Sequence, residues 1–118
     1  MIYAAFLILL VTGFLHSYLG ETRIIGPLLA LPPQGVLKSP RARGILRGAW
    51  HITSLAWLAL ALLLVLAAGS PFEATVVWTT IGLAVASAAI CLISYGPMHP
   101  GFIAFTVCTA VLLVQRAV

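Results

Sequence analysis

Charged residues are the class of side chain that this sequence has least of. Only 7% of its 118 residues are charged and 63% are apolar, whereas soluble domains contain about 25% charged and about 45–50% apolar residues. The chain also has no long hydrophilic segment. Composition therefore excludes a water-soluble fold and predicts an all-α integral membrane protein that forms one domain over residues 1–118.

Basic side chains are also too few for nucleic-acid binding. Six Lys and Arg against two Asp and Glu give a net charge of +4, and basic patches do bind phosphate. Most of these charges, however, lie beside apolar runs, so anionic lipid headgroups are the expected partner and nucleic acid is not. The only two cysteines, Cys91 and Cys108, lie inside apolar runs, which argues against a secreted disulfide framework.

Four apolar stretches predict a four-transmembrane-helix bundle. A helix needs about 20 residues to cross the hydrocarbon core, and the fourth, shorter stretch requires some local thinning of the bilayer. Gly20 is predicted to end the first helix. Ser39-Pro40 and the capping box Ser70-Pro71-Phe72-Glu73 are predicted to start the second and third helices. The predicted helices cover about residues 1–19, 40–68, 71–95 and 100–116.

The connection between the first two helices, residues 21–38, is the longest one predicted. Its middle is apolar but contains three prolines, so we expect an interfacial segment. The positive-inside rule makes this connection cytoplasmic, with both termini outside, in a multi-pass protein of the plasma (inner) membrane. Five of the six basic residues lie in or just after the connection: Arg23, Lys38, Arg41, Arg43 and Arg47.

The three histidines are all predicted at the cytoplasmic edge of the membrane. His16 shares a stripe with Gly13 and Gly20, small residues that let transmembrane helices approach closely, and His51 shares a helix face with Ser54. Polar side chains in membrane helices usually mark a site, and imidazoles with a carboxylate suit a transition metal such as zinc, iron or copper. The predicted metal ligands are His16, His51, His99 and Glu21.

Haem is the alternative cofactor for the same histidines. Two of them could be axial ligands of a non-covalent haem b, because the chain has no CxxCH attachment motif. Arg43 and Arg47 could then bind the propionates. A simple metal ion is preferred, because three histidines and a glutamate are more than haem ligation uses.

The sequence leaves the function open among three classes. The preferred one is a membrane protein that binds a metal or haem. A metal with an open coordination position could activate water, with Glu21 as general base. The second is a non-catalytic structural or accessory subunit of a larger membrane complex, with interfacial histidines. The third is a small transporter that works as a homo-oligomer. In size the chain resembles the small multidrug-resistance transporters, but the membrane-embedded glutamate of their first helix is missing from residues 1–19.

Overall fold

The computed structural model describes residues 1–117 and is helical throughout its regular secondary structure. Four helices are long and apolar enough to cross a membrane, as the hydropathy pattern predicts. This confirms the predicted all-α fold with four apolar helices. The helices are α1 (Ile2–Ala30), α2 (Pro40–Ala67), α3 (Glu73–Tyr95) and α4 (Pro100–Ala117).

The first helix is longer than predicted, because the chain remains helical beyond Gly20. The α-helix Ile2–Gly20 continues into a π-helical turn at Glu21–Ile25 and then into the α-helical segment Gly26–Ala30. Pro27 lacks an N–H and its ring needs room beside the preceding turn of a helix. The wider π-helical turn just before it provides that room.

The predicted long connection is therefore wrong in extent. Only residues 31–39 separate α1 from α2, and they contain one short 3-10 turn at Gly35–Lys38. The prolines at positions 32 and 33 follow the end of α1. Proline is common just after a helix end, because it cannot continue the helix. The segment and the last turn of α1 also expose three large apolar side chains: Leu28, Leu31 and Val36.

The starts of α2 and α3 follow the sequence signals to different degrees. At α2 the Ser39 hydroxyl accepts a hydrogen bond from the backbone N–H three residues on, and Pro40 is the first helical residue, as predicted. The third helix instead begins at Glu73, two residues later than the capping box predicts. The Glu73 carboxylate accepts a hydrogen bond from the backbone N–H of Gly69 at 2.5 Å, so it secures the turn that precedes the helix.

The four helices pack as two hairpins joined through α1. Helix α1 packs against α2 and also contacts α4, while α3 packs mainly against α4. Small buried side chains let the helices approach closely. The core between them consists chiefly of Ala5, Leu9, Ala61, Leu64, Val77, Ile81, Ala84, Phe105, Cys108 and Leu112.

Two glycines of α1 lie at its contact with α2, as the predicted small-residue stripe requires. A Cβ atom on Gly13 would lie 2.9 Å from the Leu58 side chain, and one on Gly20 would lie 1.7 Å from Nε1 of Trp50. Larger side chains at these positions would push the helices apart. The close α1–α2 approach brings together the polar residues of both helices.

Candidate functional site

A connected set of polar side chains crosses the α1–α2 contact, in the half of each helix that is nearer the connection between them. His51 lies at its centre, with Nδ1 2.7 Å from the Ser17 hydroxyl oxygen and Nε2 3.3 Å from Oε2 of Glu21. Oε1 of the same carboxylate is 2.9 Å from the Arg47 guanidinium. We refer to Ser17, Glu21, Arg47 and His51 as the α1–α2 network.

The spacing of these residues explains why they meet. Ser17 and Glu21 are four residues apart on α1, and Arg47 and His51 are four residues apart on α2, so each pair occupies one helix face. The helices run antiparallel, which places Ser17 opposite His51 and Glu21 opposite Arg47. Two i,i+4 pairs on facing helices therefore give three consecutive polar contacts.

The network remains accessible from outside the bundle. The side chains of His51 and Glu21 are 35% and 36% exposed, and that of Arg47 is 49% exposed. The carboxylate of Glu21 lies between the Arg47 guanidinium, which balances its negative charge, and the His51 imidazole. The Arg47 guanidinium has five N–H donors, and Glu21 uses only part of them.

A second serine–histidine pair lies deeper in the same helix contact. Nδ1 of His16 is 2.9 Å from the Ser54 hydroxyl oxygen, and Ser54 is only 2% exposed. The Trp50 indole stacks on the His16 ring with centroids 4.5 Å apart, and its N–H donates to the His16 carbonyl at 2.9 Å. Gly20 leaves the space that the indole occupies.

Polar contacts do not continue from this pair through the bundle. Beyond Ser54 the α1–α2 contact is lined by core residues such as Leu9, Ala61 and Leu64. Within residues 1–117 the one other buried polar side chain is Thr80, which donates to a carbonyl of its own helix. Among residues 1–117, no side-chain hydrogen bond links the Ser54–His16 pair to Thr80.

His99 lies apart from the network, in the turn between α3 and α4. Its Nδ1 accepts a hydrogen bond from the Gly101 N–H at 3.1 Å, and its ring stacks on Tyr95 with centroids 4.6 Å apart. The partly buried Cys91 lies beside the same glycine. This histidine therefore belongs to the α3–α4 hairpin.

The predicted metal site from His16, His51, His99 and Glu21 is not supported. Across the 117 residues that the structure describes, no group of three or more His, Cys, Asp and Glu side chains could hold a metal ion. The physical reason is that the three imidazoles face different partners: His16 bonds to Ser54, His51 to Ser17 and Glu21, and His99 to Gly101. Haem ligation by the same histidines is equally unsupported.

Arg43 and Arg47, the predicted propionate ligands, line an open cleft beside the network. The cleft has a volume of about 500 Å³ and lies between the end of α1 and the start of α2. Arg43 donates a hydrogen bond to the Leu29 carbonyl, which fixes the guanidinium at the cleft wall. The remaining lining residues are small or apolar: Gly26, Leu29, Ala30, Pro40 and Gly44.

Sequence reasoning missed Ser17, although its spacing from Glu21 matches the Arg47–His51 spacing on the facing helix. Paired i,i+4 polar residues on two antiparallel helices were the signal that could have found it. Comparisons with protein-family models, with curated proteins and with solved structures found no match for this chain.

Proposed function

We propose that the chain is a multi-pass membrane protein that binds an anionic amphiphile, such as an acidic phospholipid, at the joined ends of α1 and α2. The observation that carries the proposal is the cleft of about 500 Å³ with Arg43 and Arg47 on its wall. Guanidinium groups bind phosphate oxygens through paired, charge-assisted hydrogen bonds. Each arginine has only part of its donor capacity used by Leu29 or Glu21.

The outer surface of the bundle supports a position in a bilayer. Large apolar side chains cover it along the helices, as Phe14 (60% exposed), Leu55 (61%) and Ile93 (85%) illustrate. A soluble monomer rarely exposes large contiguous apolar surfaces, whereas lipid chains would cover them. The length and composition of all four helices fit the same placement.

The charge distribution supports an anionic partner at this end. Arg23, Lys38 and Arg41 accompany the two arginines of the cleft, while Glu21 is the one acidic residue nearby and already faces Arg47 and His51. Each basic residue near an anionic membrane surface contributes about 1 kcal/mol of attraction. By the positive-inside rule this end is cytoplasmic.

A neighbouring, mainly apolar cleft favours an amphiphile over a simple anion as the ligand. It has a volume of about 330 Å³ and shares Arg43 and Leu29 with the first cleft. Its other lining residues are mainly apolar, so it suits the beginning of an acyl chain whose phosphate lies on the arginines. The lining residues beyond those shared are Leu28, Leu31, Pro32, Pro33, Gln34 and Leu37.

Native mass spectrometry of the full chain with phosphatidylglycerol or phosphatidylcholine tests this proposal. We expect preferential retention of phosphatidylglycerol and a loss of about fivefold in its affinity for each of Arg43→Gln and Arg47→Gln, from about 1 kcal/mol per charge. Arg116→Gln, at the other end of the chain, is the matched control and should bind as the wild type does. Inorganic phosphate is the second arm, and it should compete poorly because it cannot fill the apolar cleft.

Equal retention of the two lipids, or an equal loss in Arg116→Gln, would contradict the proposal. Phosphate that displaces the lipid at comparable concentration would show that the site recognises a free anion instead.

A further inference from the structure

The geometry points to a catalytic triad in the α1–α2 network, with Ser17 as nucleophile, His51 as base and Glu21 as the carboxylate that orients the base. Ser17 and His51 are 2.7 Å apart, and His51 and Glu21 are 3.3 Å apart. A nucleophile bonded to a base that a third group orients is the arrangement of covalent acyl-transfer sites. The substrate class rests on the proposed function: a carboxylic ester of an anionic amphiphile, such as a phospholipid.

The hydroxyl of Ser17 differs from the threonine hydroxyls bonded within the same bundle. Thr22, Thr53, Thr80 and Thr109 each donate to the carbonyl four residues earlier in their own helix, which is the usual arrangement for a hydroxyl inside a helix. Ser17 instead bonds across the helix contact to a ring nitrogen. Its hydroxyl is thus positioned to lose a proton to a base.

Both ring nitrogens of His51 have partners that fit this role. A carboxylate can only accept, so the nitrogen that faces Glu21 carries the proton in the neutral ring. The nitrogen that faces Ser17 is then unprotonated and accepts the serine O–H. Glu21 fixes this tautomer and stabilises the imidazolium that forms when the serine proton is taken.

The reaction balances without any further reactant except water. Ser17 Oγ forms a bond to the ester carbonyl carbon while His51 takes the hydroxyl proton, and the negative charge develops on the carbonyl oxygen. The ester C–O bond then breaks, the alcohol leaves with the proton from His51, and the acyl group remains on Ser17. A water molecule that gives its proton to His51 cleaves the acyl-serine, which releases the carboxylic acid and returns the proton to Ser17.

The position of Arg47 connects this chemistry to the bound lipid. The same side chain bonds to Glu21 and lines the cleft of about 500 Å³. An amphiphile with its phosphate near Arg43 therefore lies beside the network. The partial exposure of His51 and Glu21 leaves a way in for the ester and for water.

A purely structural role for the Ser17–His51 bond is the competing explanation, and the chain contains a control for it. Ser54 and His16 make the same kind of bond across the same helices at 2.9 Å. Ser54 is nearly inaccessible at 2% exposure, and its histidine is covered by Trp50. This second pair should contribute to helix packing without reacting.

Labelling of the full chain in nanodiscs with a fluorophosphonate probe, followed by peptide mass spectrometry, tests the triad. We expect label on Ser17, none in Ser17→Ala, and at least tenfold slower labelling in His51→Ala and in Glu21→Gln. Ser54→Ala should label at the wild-type rate. Circular dichroism and gel filtration of each variant confirm that the bundle is folded.

Absence of label on the folded wild-type chain, or label that persists in Ser17→Ala, would overturn the triad. The same samples are measured for phosphatidylglycerol retention, which separates the two proposals. Lipid retention without label on Ser17 refutes the triad alone. Label on Ser17 without lipid retention supports the triad and refutes the lipid-binding proposal.

Discussion

Replacement of Gly20 by alanine should weaken the α1–α2 contact, because the new Cβ atom would lie 1.7 Å from Nε1 and 2.1 Å from Cε2 of Trp50. Overpacking of this kind costs about 1–3 kcal/mol when the ring stays. If the ring moves away, it loses the hydrogen bond to His16 and the stack on its imidazole. That loss is about 1 kcal/mol for the bond and about 0.5–1.5 kcal/mol for the stack.

The intrinsic preference of helices for alanine opposes this loss by about 1 kcal/mol. Gly48→Ala isolates that preference, because nothing lies within 4 Å of a Cβ atom at position 48. We therefore expect the free energies of unfolding of the two variants to differ by about 2 kcal/mol, with Gly20→Ala the less stable. Reversible unfolding in mixed detergent micelles, followed by circular dichroism, measures the difference. Equal stability of the two variants would refute the close approach of Trp50 to α1.

Two further predictions concern the core and the topology. Leu64 is 1% exposed and lies in the bundle core, so Leu64→Ala should lower the free energy of unfolding by about 2–5 kcal/mol. Leu66 is 69% exposed, so Leu66→Ala should change this free energy little in the same detergent assay. Similar losses for both leucines would mean that the core is misplaced. Gln34→Cys should react with a membrane-impermeant thiol reagent only after cells are opened, and stronger labelling of intact cells than of cells expressing the wild-type chain would reverse the proposed orientation.

Hydropathy was sufficient to predict the four helices, because each needs a long apolar run whatever its neighbours are. It could not predict where α1 ends, since Gly20 and Pro27 are local stop signals that tertiary packing overrides. Gly20 accommodates the Trp50 indole, and the π-helical turn accommodates Pro27. Local sequence rules describe neither effect.

Neither the depth of His16 nor the lateral position of His99 followed from the predicted helix ends. Counting residues from the predicted helix ends placed His16 one turn before the end of the first helix, but α1 continues to Ala30, so His16 lies at its midpoint. Such counting could not show which helices are neighbours, because core and surface leucines have the same hydropathy: Leu9 is fully buried and Leu7 is 55% exposed. His99 was therefore grouped with residues of the other hairpin.

The π-helical turn at Glu21–Ile25 sets the angle between the helix faces that precede and follow it in α1. Each residue added to or removed from a helix turns everything beyond it by about 100°, and here the backbone N–H of Gly26 bonds to the carbonyl of Glu21, five residues earlier. The face that carries Ser17 is set before this turn, and the face that brings Leu29 to Arg43 is set after it. Loss of one residue within the turn would rotate the cleft wall away while the network kept its register, so sequence change can remodel the binding surface and the polar site separately.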